Sequence, residues 1–198
     1  MKKGVKRPPP APYTINSAID ALLKREFDIH REDGTPHYLI KKYKIDVIPY
    51  KCAQINGWRH NFTGVQFHHK PTDFLVFGAV DDVWINPTGE LIVVDYKATG
   101  ANNYQIYPGY KRQMEVYQWL LLQNGYKVSK AGYFLFAKVN KEGGFAEGKL
   151  SFDLFLEPQE GDSSWIEGAL INARKAIDSD SPESNPECVY CKFVKSFK

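Results

Sequence analysis

Apolar residues recur at helical spacing at Ile15, Ile19, Leu22, Leu23 and Phe27, which predicts an amphipathic helix over about 16–27. The segment 31–70 has no clean period and yields nothing firmer than short strands or helices. The pattern then changes to two runs rich in β-branched and aromatic residues, FLVFGAVDDVWI over 74–85 and ELIVVDYK over 90–97. Asn86-Pro87-Thr88-Gly89 between them is a strong turn signal, so the two runs are expected to form a hairpin. A long helix is expected over 109–124, stopped by Gly125. Two further strands are expected at 131–139 and 149–156, around a Gly-rich loop at 141–148. A last helix covers about 164–177, followed by a polar Ser/Pro/Asn stretch and Cys188-Val189-Tyr190-Cys191. This order predicts one α/β domain over 13–198, with a central mixed sheet and helices on its faces.

Chemistry first shows in the hairpin. A three-residue loop Pro87-Thr88-Gly89, with Gly89 left-handed, pairs Asn86 with Glu90 and sets Asp81 opposite Asp95. Alternation puts Leu91, Val93, Asp95 and Lys97 on one face and Ile92, Val94 and Tyr96 on the other. Directly opposed side chains lie roughly 4.5–5.5 Å apart at Cβ, where like charges repel. The pair is either a partly exposed hairpin end neutralised by Lys97, or a site for a hard divalent cation. Asp82 is the rival to Asp81, but it falls on the opposite face of the strand.

Charge narrows the partner. Of 26 Lys and Arg against 23 Asp and Glu, four cations and no acid lie in residues 1–12, a basic Pro-rich segment expected to be flexible. The remainder is therefore close to neutral, at −1, which excludes a uniformly basic nucleic-acid coat and leaves local basic stretches at 38–70 and 103–142. No apolar run reaches the ~18–20 residues of a membrane span. The basic start continues into Pro8-Pro9-Pro10 rather than an apolar stretch, and three cysteines are too few for a disulfide scaffold, so a cytoplasmic setting is expected.

Gly78-Ala79-Val80-Asp81, fourteen residues before Asp95-Tyr96-Lys97, resembles the core of the PD-(D/E)XK nuclease superfamily. Gln113-Met114-Glu115-Val116-Tyr117 on the following helix is similar to the Gln/Tyr motif of its RecB-type branch. The resemblance implies a restriction-endonuclease-like core and a Mg²⁺- or Mn²⁺-dependent, exonuclease-like nuclease of DNA, working in repair, recombination or defence. It implies that Asp81, Asp95 and the Tyr96 backbone carbonyl bind the metal, that Lys97 acts on the attacking water or the phosphate, and that Gln113 and Tyr117 touch the metal shell or the nucleic-acid backbone. It further implies an upstream histidine ligand, for which His60 and His30 are the candidates.

Cys188 and Cys191 resemble the cysteine end of the iron–sulfur members of that branch, among them the CRISPR-adaptation nucleases. With only Cys52 besides, the chain lacks the four thiolates of a cluster; a Cys₃His zinc site or a vestige remain as readings. The alternative to catalysis is a nucleic-acid-binding or accessory subunit on the same fold. The small size leaves room for a protein partner or a second copy of the chain.

Overall fold

The computed structural model describes residues 14–142, 144–180 and 185–196. In chain order the elements are α1 (Thr14–Asp33), α2 (Tyr38–Lys42), β1 (Ile48–Pro49), α3 (Ile55–Trp58), β2 (Val65–His69), β3 (Phe74–Gly78), β4 (Asp82–Ile85) and β5 (Leu91–Thr99). These are followed by α4 (Pro108–Gln123), β6 (Ala131–Val139), β7 (Phe152–Glu160), α5 (Trp165–Asp178) and α6 (Val189–Lys195). The expected basic segment 1–12 lies outside the described residues.

Strand β5 organises the molecule because both of its faces are apolar. Leu91 and Val93 pack into a core with Met114, Trp119, Leu120 and Leu121 of α4. Ile92, Val94 and Tyr96 pack into a second core with Ile19, Leu23 and Phe27 of α1 and Leu39 and Ile40 of α2. Alternation thus sends each half of the strand to a different helical layer, as the sequence pattern requires. The main sheet runs β1-β4-β5-β6-β7, with β5–β6 parallel and the other pairs antiparallel. Helix α4 is the crossover that the parallel pair needs.

The predicted hairpin register is present. Asp82 pairs with Val94 and Ile85 with Leu91. Asn86 N–H bonds the Glu90 carbonyl at 3.1 Å, and Gly89 has φ +79°.

The run 74–85 is not one strand. Its first half, β3, pairs with β2 in a separate two-stranded sheet, and only β4 joins β5. The ladder breaks at 79–81, where Val80 N–H instead bonds the Trp58 carbonyl at 3.1 Å. Gly78 ends β3 against the Tyr117 ring, and a Cβ there would stand 2.6 Å from that ring. The backbone must therefore pass α4 closely before it turns into β4. Asp81 sits in this break rather than in a strand. Helix α1 extends to Asp33, and the segment without a reading forms α2, β1, α3 and β2. The strand expected at 149–156 is displaced to β7, and α6 follows Cys188. Among the described residues, no helix is long and apolar enough to cross a membrane.

Candidate active site

Two adjacent aspartates have opposite surroundings. Asp82 is fully buried on the α1 side of the sheet. Its Oδ1 accepts from Arg59 at 3.0 Å, from Val83 N–H at 2.8 Å and from Arg31, while its Oδ2 accepts from the Tyr96 hydroxyl at 2.8 Å and the Trp84 indole at 3.3 Å. Asp28 binds both arginines, at 2.8 Å to Arg59 and 3.0 Å to Arg31. The Asp82 carboxylate is thus fully paired with protein donors, which burial of a charge demands. It has no capacity left for a substrate.

Asp81 points elsewhere. Its Oδ2 accepts the Tyr96 N–H at 2.9 Å, which ties it to the partner strand one residue beyond Asp95. Its Oδ1 faces Lys24 of α1 at 3.3 Å, and Lys24 also pairs with Asp20 at 2.7 Å. Arg59 Nε donates to the Asp81 carbonyl at 3.0 Å, so the structural cluster around Asp82 also holds the Asp81 backbone. Burial raises the Asp81 carboxyl above its ordinary value, with the Asp20 charge adding to the rise and Lys24 opposing it.

Asp95 is 1 % exposed, and its Oδ2 is buried without a hydrogen bond, although the Lys97 ammonium contacts that oxygen as an ion pair. Burial first and the Asp81 charge second push Asp95 up to about 7, against the pull of Lys97. Lys97 also donates to Gln113 Oε1 at 3.2 Å and lies 4.6 Å from the Tyr110 ring centre. Gln113 Nε2 donates to the Tyr117 hydroxyl at 2.7 Å, and burial holds that hydroxyl protonated by raising it well above its usual value. The i, i+4 spacing on α4 places Gln113 and Tyr117 on the face toward the hairpin. A cavity of about 230 Å³ opens beside Lys97, lined by Asp20, Tyr96 and Tyr110 among others.

The structure therefore brings Asp81, Asp95, Tyr96, Lys97, Gln113 and Tyr117 into one neighbourhood. His30 bonds Thr35 at 3.0 Å and His60 bonds Thr63 at 3.1 Å, and among the described residues no hydrogen bond or ion pair joins either to Asp81 or Asp95. Nor do the cysteines converge. Cys52 packs against the α4-side core, and Cys188 and Cys191 contact each other beside α6. Among the described residues, no group of three or more His, Cys, Asp or Glu is arranged to hold a metal.

Asp20 and Lys24 were missed in the sequence. Their only signal is an acid and a base one turn apart, beside the apolar stripe of Ile19, Leu23 and Phe27.

The donor set fits a hard cation that takes few protein ligands. It offers two carboxylates, and one oxygen of Asp95 is buried with the Lys97 ammonium against it but no well-aligned hydrogen bond. Mg²⁺ commonly uses one or two carboxylates and completes its shell with water and phosphate oxygens.

A mixed sheet between helices, with an acidic pair and a lysine at the end of its central hairpin, defines a nuclease-like α/β protein. The family model of the PD-(D/E)XK nuclease superfamily matches residues 1–196, and the chain belongs to that superfamily. No curated protein matches it. Among solved structures, the crystal structure of SSO0001 aligns at 18 % identity with a TM-score of 0.35, covering 62 % of this chain and 50 % of that one. The chain thus spans about half the length of that relative.

Proposed function

We propose that the chain is a Mg²⁺- or Mn²⁺-dependent nuclease of the RecB-type branch that hydrolyses phosphodiester bonds of DNA in an exonuclease-like manner. The observation that carries this reading is the buried Asp95 carboxylate, which feels the charge of a second carboxylate, Asp81, with the Lys97 ammonium ion-paired to its Oδ2. Such a pair is costly unless a cation or a proton offsets it. Asp81, Asp95 and the Tyr96 carbonyl would hold the cation. When bound, the cation neutralises the scissile phosphate and acidifies a water.

The chain's own groups do the rest. Lys97 supplies positive charge at the reacting phosphate and orients the attacking water. Gln113 fixes the ammonium by accepting from it, and Tyr117 in turn fixes Gln113 by accepting from its amide. Arg59 and the Tyr96 N–H hold Asp81 from its two ends. The pairing of Gln113 with Tyr117 supports the RecB-type assignment, which implies repair, recombination or defence as the setting.

The test offers single- and double-stranded DNA and RNA to purified protein with Mg²⁺ or Mn²⁺, beside Asp95→Ala and Lys97→Ala. Cleavage of DNA by the wild type, reduced at least ~100-fold in each variant, is the expected result. Equal cleavage by all three proteins overturns the catalytic assignment. Binding without cleavage by the wild type assigns the chain instead to the non-catalytic alternative, and equal rates on RNA overturn the choice of DNA.

A further inference from the structure

The acidic pair belongs to a larger charge cluster, and one member of that cluster has no part in the reaction described above. Asp20 of α1 is close enough for its charge to act on both Asp81 and Asp95. Three carboxylates therefore share the end of the hairpin with two ammonium groups, those of Lys24 and Lys97. The two lysines are held very differently. Lys97 pairs with Asp95, donates to Gln113 Oε1 at 3.2 Å and lies over the Tyr110 ring, so neighbours on β5 and α4 fix it. The Lys24 ammonium, among the described residues, meets only carboxylates. It pairs with Asp20 at 2.7 Å, one turn back on its own helix, and with Asp81 at 3.3 Å across the gap to the hairpin.

Lys24 takes the one oxygen of Asp81 that the backbone leaves open. Asp81 Oδ2 accepts the Tyr96 N–H at 2.9 Å and is tied to β5. Oδ1 remains for a ligand, and Lys24 donates to it. Mg²⁺ binds a carboxylate oxygen at about 2.0–2.1 Å. On an oxygen already 3.3 Å from the ammonium, the ion would come within about 5.4 Å of that charge. A double and a single positive charge at this distance repel by about a factor of ten in binding constant, even at the dielectric constant of water. One of the two must yield, and Lys24 has the means. Its stem is a flexible four-carbon chain, and its shorter contact is to Asp20. It can release Asp81 and keep a carboxylate partner without any movement of the α1 backbone.

We propose that Lys24 is the built-in counterion of the acidic site, holding Asp81 Oδ1 while no divalent cation is bound and withdrawing to Asp20 when one takes that oxygen; this inference rests on the cation-dependent reading above. Close carboxylates are costly without an opposite charge between them, and the ammonium supplies that charge to the empty site. It also sets a threshold, because a cation must displace it before the site fills. Lys24 is thus a positioning residue that acts on the cation through Asp81.

The experiment titrates the full chain with Mn²⁺ alone, without nucleic acid and at low ionic strength, by calorimetry. Wild type is compared with Lys24→Gln, Lys24→Met and Lys24→Arg, and with Asp95→Asn as the control for the site. Thermal melting without metal checks that each variant folds. Lys24→Gln and Lys24→Met should bind Mn²⁺ about 3- to 10-fold more tightly, whereas a residue that merely braced α1 against the hairpin would give weaker binding on removal. Lys24→Arg keeps the charge and should stay within about twofold of wild type. In the wild type, Mg²⁺ should shift the Lys24 ammonium signal in a ¹H–¹⁵N spectrum, assigned by its loss in Lys24→Arg. That signal is read on the unaltered protein, so it decides even where a neutral variant fails to fold. Equal or weaker binding by the folded Gln and Met variants, tighter binding by Lys24→Arg as well, or a Lys24 signal unmoved by bound Mg²⁺ each overturn the inference and leave the nuclease reading intact. Asp95→Asn binding as tightly as wild type, or no binding by wild type and every Lys24 variant, overturns both.

Discussion

Asp81 and Asp82 are neighbours in sequence and differ wholly in role. Asp82 is surrounded by Arg31, Arg59, Tyr96 and Trp84, whereas Asp81 receives one backbone donor and shares Lys24 with Asp20. Removing a partner from the Asp82 cluster strands a buried charge. Arg31→Met should therefore destabilise the protein by about 3–5 kcal/mol, read from the urea midpoint. Asp95 behaves differently, because Lys97 is its ion-pair partner and burial and the Asp81 charge together outweigh the pull of that ammonium. If the acidic pair holds a cation, Mn²⁺ should raise the melting temperature of the wild type by mass action, and Asp95→Asn should abolish the shift. An equal shift in the variant would place the ion elsewhere. Alternation, the hairpin pairing and the Gly-x-Val-Asp spacing favour Asp81 over Asp82 in the sequence, although Asp81 itself lies in the break before β4 rather than in the strand. The arginines that bury Asp82 were not legible, because they arrive from α1 and from the end of α3, 51 and 23 residues away.

Among the elements, the hairpin is the one that short-range chemistry specifies best. Its turn, register and facing were all implied by Asn86-Pro87-Thr88-Gly89 and the flanking alternation. The break at 79–81 was not, because the strand signal in 74–85 is continuous and the interruption is imposed by Trp58 and Tyr117. Helix α2 was also missed, being five residues long and started by an unusual cap. There His37 Nδ1 accepts the Leu39 N–H at 3.2 Å while Nε2 faces Glu26 at 2.7 Å. This is the neutral ring, and burial lowers its pKa below 6.5 despite the hydrogen bond and charge of Glu26. The unfolded chain then holds the proton more tightly than the folded one. The stability His37 contributes is complete above about pH 6.5 and is lost as the pH falls below it. His37→Asn keeps an acceptor at the cap but cannot titrate. The variant should lose less stability than the wild type between pH 7.5 and 5.5, by comparison of urea midpoints. Equal losses would remove His37 from the account.

For the whole molecule, charge position matters more than net charge. The formal +3 is supplied by residues 1–12, and the remainder is nearly neutral. Any polyanion must therefore be bound locally. Affinity for an oligonucleotide should fall linearly with salt on logarithmic axes, with a slope that counts only a few phosphates, measured by anisotropy with a site variant. A slope near zero would oppose an electrostatic track. The sequence by itself determined the α/β class, the hairpin with its register, and the placing of Asp95 and Lys97 on one face of β5, because turn chemistry and alternation act over a few residues. Tertiary structure decided the rest. It split 74–85 between two sheets, brought Asp20 and Lys24 from α1 to Asp81, and left His30 and His60 bonded to threonines rather than to the acidic pair. It also buried Asp82 among arginines and left Asp81 close enough to Asp95 for each carboxylate to feel the other's charge. Such outcomes depend on which distant side chains share a volume, and packing and desolvation fix that only once both helical layers have closed on β5.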